Sequence, residues 1–313
     1  MIAYIVRRLL LTIPIIWGVL TLIFLLIRVV PGDPAVAALG DYASKEAIEA
    51  YRHKMGLDAP LWLQYLRYLE SVCRGDLGRS LINDAPVSYQ VASALPYTLE
   101  LTLAGISIGI ILGVPLGILS AIHRNAALDY FCRAFSLAGL SVPAFYLGIL
   151  LILLFSVYLP LFPSVGGGGF SDPLDNLRHL FLPALTLGLI MTAFTARVSR
   201  SAMLNILSED YIRTARAKGL SEQFVLYRHA LRNALIPIVT VVGIYTVVLI
   251  GSSVMTEIVF TRPGLGKMLV GAMKNRDYNT LQSLMIIYTC IVVLVNLITD
   301  IVYALVDPRV SYE

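Results

Sequence analysis

Six long apolar runs decide what this chain can become. They lie near Leu9–Val30, Leu99–Ile122, Phe135–Leu159, Phe181–Val198, Leu235–Met255 and Leu284–Val306. A helix rises about 1.5 Å per residue, so roughly 20 apolar residues cross a hydrocarbon core and runs of about 18 or more read as transmembrane helices. The fourth run is the least clear, because Pro183 and Arg197 bracket it. Hydrophobic residues make up 58% of the chain and charged ones only 14%, where a soluble domain carries about 25% charged residues. The fold class expected is therefore an all-α membrane protein, with about six transmembrane helices, a helical external region after the first span and a polar helix on the cytoplasmic side. Residues 1–313 read as a single membrane domain, with an external insertion over 31–96 and a cytoplasmic loop over 199–233. No internal repeat is visible.

The first run follows Arg7-Arg8. It is too long for a signal-peptide core and has no small-residue cleavage site before Pro31-Gly32-Asp33-Pro34, so it reads as a retained anchor. Cys73, Cys132 and Cys290 are scattered and lack ligand spacing, which argues against both a metal site and a disulfide framework. His53, His123, His179 and His229 are equally dispersed, so no metal cluster is expected within the chain.

Charge placement orients the chain. Arg197, Arg200, Arg213, Arg216, Lys218, Arg228 and Arg232 face only Glu209, Asp210 and Glu222 between the fourth and fifth runs. His123, Arg124 and Arg133 follow the second run, and Arg7-Arg8 precede the first. With alternating spans these fall on one side, and positive loops stay cytoplasmic. Both termini are then cytoplasmic. The loop bearing Arg262, Lys267, Lys274 and Arg276 runs against the rule.

The external region has its own helical signals. Prolines and glycine in Pro31-Gly32-Asp33-Pro34 interrupt the first span. Ser44 and Gly56 frame one helix as N-cap and C-cap. After Pro60, Leu61, Tyr65, Leu69 and Val72 recur at helical spacing with Leu66 and Cys73 alongside, an amphipathic stripe that rests on a membrane surface or a neighbouring subunit, or packs as a plain external cap. Gly166-Gly167-Gly168-Gly169 lacks the Lys-Ser or Lys-Thr of a phosphate loop and reads as a flexible connection. Pro263-Gly264-Leu265-Gly266-Lys267 also fails that pattern, so no ATP site is visible. Leu265 to Lys274 can form one short helix, ended by Asn275-Arg276-Asp277-Tyr278. Such a segment can dip into an external mouth if protein or water satisfies its backbone.

Between the fourth and fifth runs lies a polar stretch, Ser208-Glu209-Asp210-Tyr211-Ile212-Arg213-Thr214-Ala215-Arg216-Ala217-Lys218-Gly219-Leu220-Ser221. Ser208 is the expected N-cap, with Glu209 and Asp210 at the positive end of the helix dipole. Ala215 and Gly219 stand four apart and share a face almost without side chains, where another protein could approach closely. Gly219 permits the left-handed turn into Ser221, the expected cap of the next helix. A soluble partner docking here would explain such a helix in so apolar a chain.

This stretch resembles the EAA loop of permease subunits of binding-protein-dependent ABC importers, which runs Glu-Ala-Ala, three residues, Gly, nine residues, then Ile-x-Leu-Pro. Ala215, Gly219 and Leu231 match, whereas Arg213 and Thr214 replace the first two positions and the proline comes later, at Pro237. These departures are similar to the oligopeptide, dipeptide and nickel branch. The likeness extends to Gly56-Leu57-Asp58-x-Pro60, Gly75-Asp76-Leu77-Gly78-x-Ser80, Leu95-Pro96-x-Thr98-Leu99-Glu100, Arg228-His229-x-Leu231-Arg232-Asn233-Ala234, Pro263-Gly264-Leu265-Gly266 and Asn275-Arg276-Asp277-Tyr278. The layout resembles that branch's B-type permease, which pairs with a C-type chain.

The resemblance implies a non-catalytic transmembrane half of a heterodimeric pore in a bacterial or archaeal cytoplasmic membrane. Its partners would be a second homologous permease chain, two ATPase subunits carrying ATP and Mg, an extracytoplasmic solute-binding protein and the lipid bilayer. No cofactor on this chain and no nucleic acid are implied. The polar helix would be the coupling helix, with Asp210, Thr214, Ala215, Ala217, Gly219 and Ser221 as its ATPase-coupling residues. Asp33, Asp84, Pro263, Gly264 and Asp277 are candidates for the external mouth.

Glu100 and Asp300 lie near or within apolar runs and are candidates for the solute route. Arg197, Arg200 and Glu257 also lie there, but charges at span ends can simply reach the interface. The rival class is an ion-gradient-driven secondary transporter or channel, which often shows inverted repeats and midplane carboxylates. Within the importer reading, peptides, glutathione and nickel chelates are all open as solutes.

Overall fold

A computed structural model describes residues 2–29, 34–39, 43–54 and 56–306. In chain order the helices are α1 (Ile2–Val29), α2 (Pro34–Leu39), α3 (Lys45–Lys54), α4 (Leu61–Cys73), α5 (Val87–Ile122), α6 (Ala127–Ser141), α7 (Ala144–Ile152), α8 (Pro173–Leu207), α9 (Asp210–Ala217), α10 (Glu222–Phe224), α11 (Arg232–Val259), α12 (Leu265–Lys274) and α13 (Tyr278–Val306). Wider π-helical turns, Leu153–Tyr158 and Val225–Leu231, prolong α7 and join α10 to α11. No strand occurs among the described residues; the single backbone bridge joins Arg79 to Pro86. The all-α membrane class stands.

Among the described residues, four helices are long and apolar enough to cross a membrane: Val87–Ile122, Pro173–Leu207, Glu222–Val259 and Tyr278–Tyr303. Leu10–Leu26 supplies a shorter apolar helix. The third expected span is not one straight helix. Ala127–Ser141 and Ala144–Tyr158 meet at 104°. Pro143 is the cause: its ring cannot continue a helix, and it holds Val142 extended at φ −91°, ψ 122°. Helix α8, the least clear span in the sequence, is the most enclosed, with 67% of its most apolar stretch buried. It faces protein rather than lipid, which is why Thr186, Thr192, Thr195 and Ser199 are tolerated there, all buried.

The chain divides into two compact units. The first comprises residues 1–5, 97–262 and 294–313; the second comprises 6–96 and 263–293. In the first, α5 lies against α8 along Gly105, Gly109, Gly113 and Gly117. A Cβ on Gly105 would stand 2.9 Å from Leu187 Cβ, and one on Gly113 2.8 Å from Thr195 Cβ. Small residues at every fourth position let two membrane helices approach closely, since lipid offers no hydrophobic drive to hold them together. Leu101, Leu180, Ala184, Leu187, Met191 and Leu249 fill the adjoining core.

In the second unit, Val87, Val91 and Ala94 of α5 pack with Leu265 and Leu284. Helix α3 begins at Ser44, whose Oγ accepts the Ala47 N–H at 3.2 Å, and Gly56 follows it at φ +64°. Helix α4 rests on α1: Phe24 meets Tyr65 edge-on at 5.2 Å and stacks with Tyr68 at 5.7 Å. Tyr68 lies outside the stripe that the sequence pattern singled out. Helix α12 spans Leu265–Lys274 as expected.

Candidate functional site

Helix α9 is short and polar, yet it is firmly seated. Ile212 and Ala215 are buried and join Ala121 of α5, Ala202 and Met203 of α8, Val225 and Ala230 of the π turn, and Ala234 and Ile238 of α11 in one cluster. Its outer face presents Asp210, Thr214 and Ala217, all exposed and at helical spacing. Gly219 and Ser221 continue that exposed surface.

This arrangement corrects the sequence reading of the small face. Ala215 is 7% exposed and turned into the chain's own core, so its missing side chain lets α9 sit close to its own membrane helices. Capping differs too. Ser208 ends α8 instead, its Oγ donating to the Asn205 carbonyl at 2.7 Å, while Glu209 occupies the N-cap of α9 without a side-chain bond. With only Ser208 and Glu209 between the helices, the serine is still committed to α8. Ser221 does precede α10, but through its backbone; its side chain makes no capping bond.

Gly219 has φ +77°, and a Cβ there would meet nothing within 4 Å. The glycine is needed for its backbone conformation alone. Arg216 braces the turn, donating from Nη2 to Glu222 Oε1 at 2.6 Å and from Nε to Oε2 at 3.1 Å. Asn233 Nδ2 donates to the Tyr211 hydroxyl at 2.8 Å, tying α9 to the start of α11.

Glu100 stands in a buried polar network. Its Oε2 accepts from Arg262 Nη2 at 2.5 Å and its Oε1 from Asn176 Nδ2 at 2.5 Å. Arg262 is fully buried, lies 5.2 Å from the Tyr97 ring centroid and donates from Nη1 to the Gly167 carbonyl at 3.2 Å. Burial lowers its pKa from the ordinary arginine value, and the Glu100 charge opposes that shift. Thr98 Oγ1 donates to Glu257 Oε1 at 2.7 Å beside it. Two sequence readings change as a result. Arg262 broke the positive-inside pattern because it is an internal counter-ion rather than a surface charge. The glycine run is not a flexible connection: Tyr97 donates to the Gly168 carbonyl at 3.0 Å, and a Cβ at Gly168 would come within 2.6 Å of Asn176 Cα.

Of the mouth candidates, Asp277 is 4% exposed. Its Oδ2 accepts from Ser80 at 2.5 Å and Thr280 at 2.7 Å, and its Oδ1 accepts the Leu81 and Thr280 N–H groups. Both carboxylate oxygens are thus committed to donors of the chain itself. Asp84 is exposed at φ +52° and pairs with Arg79 at 3.1 Å. Pro263 is exposed and Gly264 buried before α12. Asp33 lies outside the described residues. Asp300 is half-buried on α13.

Sequence reasoning missed a second buried ion pair. Arg200 Nε and Nη2 donate to Asp129 Oδ1 and Oδ2 at 2.6 and 2.8 Å, while Ser120 and the Asn125 N–H also bind Asp129. It also missed the α5 glycines, although their four-residue repeat was there to be read. Among the described residues, no group of three or more His, Cys, Asp or Glu side chains could hold a metal ion.

The polar helix α9 is thus seated on a bundle of helices of membrane-spanning character. Residues 113–312 match the family described as binding-protein-dependent transport system inner membrane component, and residues 1–102 match its N-terminal counterpart. The chain belongs to this family and is a multi-pass permease subunit of the inner membrane. It is 40% identical over 313 residues to the glutathione transport system permease protein GsiC of Escherichia coli K12, covering 100% of both chains. It is 38% identical to the dipeptide transport system permease protein DppB of Alkalihalophilus pseudofirmus, again over 100% of both. Its fold is shared with the MetNI methionine ABC transporter in an inward-facing form, at TM-score 0.58 and 22% identity over 70% of this chain and 97% of that one. An amino acid ABC transporter gives TM-score 0.53 at 15% identity, over 69% and 94%.

Proposed function

We propose that this chain forms half of the translocation pathway of an ATP-driven importer for peptides or similar small solutes. A second homologous permease chain completes the pathway. Two ATPase subunits bind ATP and Mg and carry out the hydrolysis, and an extracytoplasmic binding protein delivers the solute. The whole of 1–313 works as one permease, with 31–96 external and 199–233 cytoplasmic. The relatives' names support glutathione or a short peptide as solute, with a nickel chelate as the alternative. A gradient-driven carrier is disfavoured because Glu100, one of its two candidate carboxylates, is committed to Arg262 and Asn176.

The observation that carries the reading is the two-sided character of α9. Asp210, Thr214 and Ala217, with Gly219 and Ser221, meet an ATPase groove, while Ile212 and Ala215 hold the helix to α5, α8 and α11. A push on α9 is thus passed to the ends of membrane helices. ATP shifts the equilibrium between inward- and outward-facing states only because the closed ATPase pair binds one of them better. Ala217→Trp adds bulk to the outer face and leaves the inner face intact. ATPase subunits that co-purify with the wild-type chain are expected to be lost from this variant while its membrane level is unchanged; undiminished co-purification would contradict the reading.

Both termini are assigned to the cytoplasm of a bacterial or archaeal cell from the arginine distribution. Ser221→Cys should accordingly resist an impermeant thiol reagent in intact cells and react once the membrane is opened. Labelling in intact cells would invert the topology.

The external mouth is assigned to the segment around Asp33 and Asp84 together with Pro263, Gly264 and α12, braced from within by Asp277. Photocrosslinkers at exposed Asp84 and Lys267 should capture the binding protein when ATP is bound and hydrolysis is blocked. Crosslinks only to the second permease chain would leave these segments a bracing role.

A further inference from the structure

Beside the Asp129–Arg200 pair, α6, α8 and the start of α11 line an open cavity of about 790 Å³. Its lining includes Arg133, Ser136, Leu137, Arg197, Arg200 and Asn205. Arg200 is neutralised bidentately by Asp129. Arg133 and Arg197 are exposed and have no carboxylate partner among the described residues. Each instead lies by an aromatic ring, Arg133 at 5.7 Å from the Tyr130 centroid and Arg197 at 5.8 Å from that of Phe194. The cavity therefore carries two unneutralised guanidinium groups over a wall that Arg200 and Asp129 hold in place.

Depth along the helices matters next. Arg197 stands ten residues before Leu207, the end of α8 that leads into α9, and Arg133 six residues after the first residue of α6. At about 1.5 Å per residue these are roughly 15 and 9 Å from helix ends. From near a helix end a long arginine side chain can reach the membrane interface, where lipid phosphates are the available anions. The surroundings are apolar and open: Tyr130, Phe131 and Leu137 of α6 are 58%, 63% and 64% exposed. A solute route would need polar walls, whereas guanidiniums bordered by exposed apolar side chains match a head group above its acyl chains.

We infer that this cavity binds the phosphate head group of an anionic phospholipid from the leaflet on the α9 side. Basic pockets between membrane helices take such head groups. The lipid would lie against α6 and α8 next to the cluster that seats α9, so its occupancy would bear on the helices that α9 moves. Naming the leaflet as the cytoplasmic one rests on the proposed topology; the binding itself does not.

The test is native mass spectrometry of the transporter purified in detergent with the subunits that accompany it, titrated with phosphatidylglycerol or phosphatidylcholine. Wild type should retain phosphatidylglycerol preferentially. Arg133→Gln/Arg197→Gln should lower that retention about thirtyfold, on the strength of two basic contacts at a membrane surface. Arg133→Lys/Arg197→Lys should keep most of the preference. Asn205→Asp, at an exposed position that leaves the arginines in place, should abolish the preference by introducing a competing carboxylate. Equal retention by wild type and both charge-altering variants overturns the proposal. So does displacement of the lipid by millimolar inorganic phosphate or glutathione, which would make the cavity a small-anion site. Detergent has no sides, so a failed topology shows only in the Ser221→Cys labelling and leaves this measurement intact.

Discussion

Glu100→Ala should lower the stability of the folded chain by about 3–5 kcal/mol, the cost of leaving a buried charge without its partner. Arg262 is fully buried, its Nε lacks a hydrogen bond, and Glu100 is the carboxylate it pairs with. Asn176 would lose its acceptor at the same time. The measurement is thermal unfolding in detergent. The double variant Glu100→Leu/Arg262→Met should recover a large part of the loss, because an apolar pair of similar volume needs no desolvation of charge. A wild-type unfolding temperature in the single variant, combined with impaired uptake, would return Glu100 to the solute route and remove its bracing role.

Ile212→Ala is expected to uncouple the transporter. Ile212 is fully buried at the centre of the cluster joining α9 to α5, α8 and α11. Removing its side chain should cost about 2–5 kcal/mol at that contact, lost transfer energy plus the cavity left behind. The outer face, with Asp210, Thr214 and Ala217, is untouched, so the ATPase subunits should still bind and hydrolyse ATP while solute uptake falls. Arg213→Ala is the control. Arg213 is exposed, pairs with Asp210 three residues away and donates weakly to the Ser208 carbonyl at 3.4 Å, and surface changes of this kind usually lie within about 0.5 kcal/mol. Parallel loss of hydrolysis and uptake in Ile212→Ala would mean that α9 seats the ATPase but does not transmit its movement.

The local structure was legible because it depends on neighbours in sequence. Ser44 and Gly56 frame α3, Pro263-Gly264 precedes α12, and the polar stretch after α8 is a helix, each read from residues within a few positions. Run length alone located the apolar helices. The break at Pro143 escaped because length and hydropathy do not register a single ring inside an otherwise apolar run. Orientation of α9 escaped for a related reason. Ala215 and Gly219 do lie four apart, but periodicity identifies a shared face without saying what covers it, and here Ala215 is covered by Ala202, Met203 and Ala234 of the same chain.

What the sequence by itself determined is therefore the set of helices, their apolar or polar character and the distribution of positive charge, all short-range properties of composition and spacing. Only the tertiary structure decided which charges are solvent-facing and which are internal. Glu100 meets Arg262 across 162 positions, and Ser80 meets Asp277 across 197. Motifs that stand apart in the sequence, Gly75-Asp76-Leu77-Gly78-x-Ser80 and Asn275-Arg276-Asp277-Tyr278, become one hydrogen-bonded joint. The physical reason is that a carboxylate near an apolar run must find a partner or a watery cavity, and local pattern states that need without naming the partner. The choice is made by packing, where the glycines of α5 admit α8 and the folded chain brings distant segments within hydrogen-bond reach.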